Sequence, residues 1–169
     1  LISPLKDVDV MNEKSLGKIF IGDDDLAPAT AKAIMYMLDY YHIDLKGKEC
    51  LVIGRSISVG KPVSMMLLNK NATVTIAHSR TIDLFDKVKN YDVIICAVGK
   101  PHFLDSKLAK ESAIIIDAGI HYLDDGRIVG DVIPSSGVKM ISKVPGGVGT
   151  ITTMVLMENV LKLYFMQKE

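Results

Sequence analysis

An α/β fold, a doubly wound parallel sheet with flanking helices, is predicted for this 169-residue chain by three observations. Continuous apolar runs recur at Glu49–Ile53, Ala72–Ala77, Val93–Val98 and Ala113–Asp117. Runs without alternation read as strands covered on both faces, and helical segments between them make them parallel. The glycine-bearing loop Gly54–Gly60 joins the first run to a helical stretch, the junction at which such sheets carry a phosphate cradle. The expectation is a Rossmann-like domain.

The elements follow in order. Residues 1–27 are polar and turn-rich and read as a connector, ending in Asp23, Asp24 and Asp25 before Pro28. From Pro28, Ile34, Met37, Leu38 and Tyr41 fall at i, i+3, i+4 and i+7, which predicts a helix with one buried face. Pro28 suits its first turn and the aspartates its positive dipole end. Lys61–Asn69 reads as the next helix, and Arg127–Val129 and Val138–Ile141 are weaker strand runs. A last helix is predicted over Ile151–Phe165, with Met157, Val160, Leu161 and Tyr164 at helical spacing. Residues 28–169 form the main domain. The chain starts without methionine inside a loop-like stretch, so an upstream segment is expected.

Twenty basic and twenty acidic side chains cancel, so no global field draws the chain to nucleic acid or an anionic membrane. No run of eighteen apolar residues and no secretory layout is present, which leads us to expect a soluble, cytoplasmic chain. Cys50 and Cys96 lie in β-branched apolar runs and are expected as buried thiols, with neither a disulfide framework nor a metal site.

In the loop Gly54-Arg55-Ser56-Ile57-Ser58-Val59-Gly60, a pyrophosphate would meet the unpaired amides and dipole of the following helix. The spacing departs from Gly-x-Gly-x-x-Gly, and glycine also closes such turns for structural reasons alone. Where an NAD-preferring domain ends its second strand in a carboxylate, this one reads His78-Ser79-Arg80-Thr81. Arg80, Ser79 and Arg55 suit a 2′-phosphate, so NADP is expected over NAD, against the alternative of ordinary solvated arginines. His78 alone reads as well as a structural residue. Gly99, Gly119 and Ile120 follow later strands and either admit the cofactor's sugar and nicotinamide or simply turn the chain. Val144–Thr150 places three glycines, Gly146, Gly147 and Gly149, at the opening of the last helix.

Taken in order, Lys6-Asp7-Val8-Asp9, the Gly54–Pro62 loop, Ala72–Thr75 with His78–Thr81, Val129-Gly130-Asp131-Val132 and Val144–Gly149 resemble the methylenetetrahydrofolate dehydrogenase/cyclohydrolase family. The resemblance runs from Lys6 to Tyr164. It implies NADP-dependent oxidation of 5,10-methylenetetrahydrofolate to the methenyl form, then hydrolysis to 10-formyltetrahydrofolate. It also implies a tetrahydrofolate substrate, a homodimer, and a folate-binding remnant within residues 1–27. By the same resemblance Arg55 and Ser79 hold the 2′-phosphate, and Ser56, Val59 and Gly60 surround the pyrophosphate. Asp9 hydrogen-bonds the pterin, where a turn or N-cap carboxylate is the alternative. Gly146 and Gly147 lie at the junction of nicotinamide and folate.

Four positions depart from the family pattern: Val10 and Thr150, where glycine and proline are usual, and Ala29 and Ala31 in Pro28-Ala29-Thr30-Ala31, where Pro-Cys-Thr-Pro is usual. The family's Tyr-x-x-x-Lys pair lies in an upstream domain. Tyr36, Tyr40 and Tyr41 are not followed four residues on by lysine, so no catalytic residue is expected in this chain. Two other readings are a non-catalytic nucleotide-binding or dimerisation module and a shikimate-type dehydrogenase, the latter opposed by the Lys6–Asp9 and Val144–Gly149 strings.

Overall fold

The computed structural model describes residues 2–168; Leu1 and Glu169, the outer limits of the division above, lie outside the described residues. Its centre is a five-stranded parallel sheet. The strands are β1 (Glu49–Ile53), β2 (Thr73–Ala77), β3 (Val93–Cys96), β5 (Ile114–Asp117) and β9 (Met140–Ile141). They run in the order β2-β1-β3-β5-β9. The strand order therefore reverses between β1 and β3, and such a switch point opens a crevice at the strands' carboxyl ends. Two short pairs, β4 (Leu104–Asp105) with β8 (Val132–Ile133) and β6 (His121–Tyr122) with β7 (Ile128–Val129), lie beside the sheet; of these four strands only β7, within the Arg127–Val129 run, was anticipated.

Side chains alternate across the strands and feed two cores. Cys50, Val52, Ile95 and Ile116 pack under α2 (Ala29–Tyr40), α3 (Gly60–Asn69) and α5 (Val148–Met166), while Leu51, Ile53, Ile94 and Ile115 pack with Leu84, Leu104 and Val132. Cys50 and Cys96 are both buried, on opposite faces. Burial pushes the Cys50 thiol up to about 12 and Cys96 up as well, so neither is a ready nucleophile. Among the described residues no helix is long and apolar enough to cross a membrane.

Four local expectations need correction. β2 is an edge strand with Thr73, Thr75 and Ile76 exposed, and is not covered on both faces. The stretch read as a connector holds a helix, α1 (Glu13–Phe20), whose Ile19 is buried. Asn12 caps it by accepting from the Ser15 N–H at 2.9 Å, and Asn69 on α3 donates to the Ile19 carbonyl. On α2, Ile34, Met37 and Leu38 are buried, but Tyr41 stands beyond the helix end and is exposed. On α5 the buried positions are Val148, Val155, Asn159 and Leu163, whereas Met157, Val160, Leu161 and Tyr164 face outward. That helix is apolar nearly all round, so spacing alone could not pick its buried side.

Of the aspartates before α2, Asp25 ties that helix to α5, while Asp23 pairs with Lys18 on α1 at 3.0 Å. Lys32 Nζ, largely buried, donates to the Asp25 carbonyl and to Glu158 Oε1 at 3.3 Å. Tyr36 OH donates to Glu158 Oε2 at 2.7 Å, and Lys162 bridges Glu158 and Asp25. Burial alone would raise the Glu158 carboxyl, but hydrogen bonds from Lys162 and Tyr36 and the charge of Lys32 outweigh it and hold it at about 2, against an ordinary 4.5. A depressed carboxylate stabilises the fold above its unfolded value, and that contribution is lost as pH falls from 4.5 toward 2. Glu158→Gln should cost about 1 kcal/mol at pH 7 after allowance for solvent screening, and flatten the acid loss in that window. Thermal melts of both proteins at pH 7 and near pH 3 check it.

Candidate functional site

The crevice is built around Gly54. Its φ of +134° is a glycine conformation, and a Cβ there would overlap the Ala97 carbonyl at the end of β3. A Cβ on Gly60 would overlap the Gly54 carbonyl, so the first turn of α3 sits directly on the β1 turn. The anticipated unpaired amides at the start of α3 are in fact occupied. Ser56 Oγ accepts from the N–H groups of Val59 and Gly60 at 3.1 and 3.3 Å, Lys61 donates to the Ser56 carbonyl, and Pro62 has no N–H. The free donors lie earlier: the N–H groups of Arg55, Ser56, Ile57 and Ser58 find no acceptor among the described residues. An anion would be received by this exposed turn, with the α3 dipole behind it.

β2 ends alongside. The Gly54 N–H donates to the Ala77 carbonyl at 2.8 Å, and Ile53 pairs in register with Ala77. Arg55 and Ser79 therefore stand at matching offsets, two residues beyond a paired position. Arg55, Ser79 and Arg80 are exposed, and neither arginine has an ion-pair partner among the described residues. His78 braces this turn: its Nδ1 accepts from the Arg80 N–H at 3.1 Å, and its own N–H donates to Thr81 Oγ1. No carboxylate occurs from His78 to Ile82.

A groove continues from the crevice past the last glycine loop. A cavity of about 420 Å³ is lined by Gly119, Ile120, Gly146 and Gly147, and one of about 340 Å³ by Asp9 and Ser58; Thr30 and Thr152 line both. Gly146 has φ +94°, and a Cβ on Gly147 would overlap the Lys143 carbonyl, so two of the three glycines are required by the backbone itself. The turn role considered for Asp9 belongs to Asp7, whose Oδ2 accepts from the N–H groups of Met11 and Asn12 at 2.8 Å each. Asp9 is exposed and has no hydrogen-bond partner among the described residues. The departure at Val10 falls on a left-handed position, φ +58°, with the side chain buried. That conformation is strained for a β-branched residue.

Gly99 (φ +72°) and Gly119 border two carboxylates that sequence reasoning did not single out as site residues. Asp117 ends β5 and accepts from Gly119, Asp131 and Val132; burial pushes its carboxyl up, only partly offset by those three donors. Asp131 accepts from Val98, Gly99 and Lys100. A Cβ on Gly119 would overlap Asp131, and one on Gly130 would overlap Asp117. A charge at the end of an apolar strand next to glycines was the available signal. The spacing Tyr-x-x-x-Lys also occurs after all, at Tyr164 and Lys168. There Lys168 Nζ lies 4.5 Å from the tyrosine ring centroid at the far end of α5, about 24 Å along the helix from the glycine loop. The pair cannot reach the groove.

Residues 28–168 match the family model described as tetrahydrofolate dehydrogenase/cyclohydrolase, NAD(P)-binding domain. A bifunctional protein FolD of Dictyoglomus thermophilum is 46% identical over 164 residues, covering 95% of this chain and 58% of that protein. The chain thus spans little more than half of that relative. The bifunctional 5,10-methylenetetrahydrofolate dehydrogenase/cyclohydrolase of Thermoplasma acidophilum superposes with a TM-score of 0.91 at 38% identity, over 99% of this chain and 61% of that one. The Trypanosoma brucei N5,N10-methylenetetrahydrofolate dehydrogenase-cyclohydrolase, solved with NADP cofactor and an inhibitor, gives 0.91 at 32% identity, over 99% and 61%. These likenesses span nearly the whole chain and set aside a shikimate-type identity. The chain belongs to the tetrahydrofolate dehydrogenase/cyclohydrolase family, as its NAD(P)-binding domain.

Proposed function

We propose that this chain is the cofactor half of an enzyme that oxidises 5,10-methylenetetrahydrofolate to 5,10-methenyltetrahydrofolate with NADP and hydrolyses the product to 10-formyltetrahydrofolate. The observation that carries the cofactor choice is the pair of exposed arginines, Arg55 and Arg80, without an ion-pair partner among the described residues, beside Ser79 and the Gly54 turn, with no carboxylate from His78 to Ile82 to take a free ribose hydroxyl. Arg55, Ser79 and Arg80 hold the 2′-phosphate, and His78 braces their turn. Gly54, Ser56, Val59 and Gly60 shape the pyrophosphate turn, whose free amides receive the anion. Gly99, Gly119 and Ile120 border the nicotinamide side. Asp9 takes the pterin, with Gly146 and Gly147 between the two ligands.

NADP supplies the hydride acceptor. The folate's own nitrogen lone pair assists loss of hydride from the methylene carbon, so this half chiefly needs to hold the two rings in line and keep water out. Hydrolysis needs managed protons, and the groove offers no lysine–tyrosine pair for that task. The chain alone is therefore weak or inactive and acts with a folate-side domain, to which residues 1–27 connect. The exposed stripe of Met157, Leu161 and Tyr164 on α5 suits burial against such a domain. The intact enzyme is a cytoplasmic homodimer.

Calorimetric titration of this chain with NADP and with NAD tests the reading. NADP should bind at least 10-fold tighter, and Ser79→Ala should lower NADP affinity about 10-fold, the lower end for one hydrogen bond to a charged group. Equal or absent binding of the two nucleotides would remove the cofactor assignment.

A further inference from the structure

Asp131 sits between β7 and β8, is 0% exposed, and spends its whole carboxylate on the loops of the crevice. Oδ2 accepts from the N–H groups of Val98 at 2.5 Å and Gly99 at 2.9 Å, and Oδ1 from Lys100 at 3.0 Å. Three successive amides wrapped around an anion form a nest. Here the anion is the protein's own, so the loop after β3 cannot offer those amides to a ligand and instead becomes a fixed wall. Ala97, the residue before that nest, is the one whose carbonyl abuts Gly54, so the position of the wall sets the position of the pyrophosphate turn.

The same carboxylate grips the other side of the crevice. His121 Nε2, at the start of β6 and next to Ile120, meets Oδ1 at 2.7 Å. Gly119 packs against the Asp131 side chain without room for a Cβ. Asp131 is itself seated on the sheet, since its N–H donates to Asp117 Oδ1 at 3.0 Å. We infer that Asp131 is a positioning residue for cofactor binding, one buried carboxylate that holds the wall after β3 and the Gly119–His121 segment at a set separation. The inference rests on the NADP reading above.

The test pairs NADP titration with amide hydrogen exchange of the nucleotide-free chain. Asp131→Asn keeps the shape but turns an acceptor into a donor. It should weaken NADP about 10-fold and speed exchange at Val98, Gly99 and Lys100, with the β1 and β3 amides still protected. His121→Gln, at a partly exposed site, should weaken NADP about 3-fold. A role in stability alone would lower the melting temperature and leave affinity, measured well below it, unchanged; that result overturns the inference. If Asp131→Asn does not fold, His121→Gln decides, and unchanged affinity there overturns it too. Failure of the unmutated chain to bind NADP would remove the cofactor reading and this inference with it, and is seen before any variant is compared.

Discussion

Arg55→Ala is expected to weaken NADP about 10- to 100-fold and to leave NAD affinity unchanged, collapsing the preference between them. The range follows from the loss of a charge-assisted hydrogen-bonded pair, about 1.5 to 3 kcal/mol. NAD lacks the 2′-phosphate, so the same deletion removes no partner from it. Because Arg55 is exposed and has no ion-pair partner among the described residues, its loss opens no cavity and strands no buried charge, and the melting temperature of the free chain should stay within experimental scatter. The effect should also shrink as salt is raised, since an exposed pair is screened. Titrations with both nucleotides at two ionic strengths decide it; equal weakening of NADP and NAD would place Arg55 on the pyrophosphate instead.

Gly54→Ala should be the most damaging single methyl in the molecule's ligand face. Two independent penalties meet there: a φ of +134°, which L side chains rarely adopt, and overlap of the new Cβ with the Ala97 carbonyl. Strain of the first kind costs about 1 to 3 kcal/mol, and overpacking about as much again. Together they predict a loss of roughly 3 to 5 kcal/mol and a drop in melting temperature of about 10 °C. The turn must move away from β3 to relieve the overlap, so NADP binding should be lost even where the variant remains folded. Gly149→Ala, with open space around its Cβ, is the control and should change stability by less than about 1 kcal/mol. Thermal melts and NADP titration of the two variants separate the outcomes.

Much of this protein is legible in one dimension where the deciding physics is local. Val93–Val98 and Ala113–Asp117 read as buried strands because nothing polar interrupts them, and β3 and β5 are buried at every position. The Gly54–Gly60 turn and the missing carboxylate after β2 are equally local, since backbone freedom and charge belong to the residues themselves. Where several arrangements satisfy the same local pattern, tertiary packing chose. The outward stripe of Met157, Leu161 and Tyr164 has the spacing of a core face, yet Val155, Asn159 and Leu163 took that place against α2 and the neighbouring loops. Ser56 occupied the α3 amides that an anion was expected to find, and Asp7 rather than Asp9 took the turn. Asp131 stood in the sequence only as part of the Val129–Val132 string, with no role of its own. Its partners at Val98, Gly99 and Lys100 stand more than thirty positions away, and only closure of the sheet brings them around it. The sequence by itself determined the fold class and the chemistry that the crevice offers, because each rests on residues and their neighbours. The tertiary structure decided which acceptors are spent, which faces are covered and what holds the crevice to its width, because those depend on groups that meet only when the chain is folded.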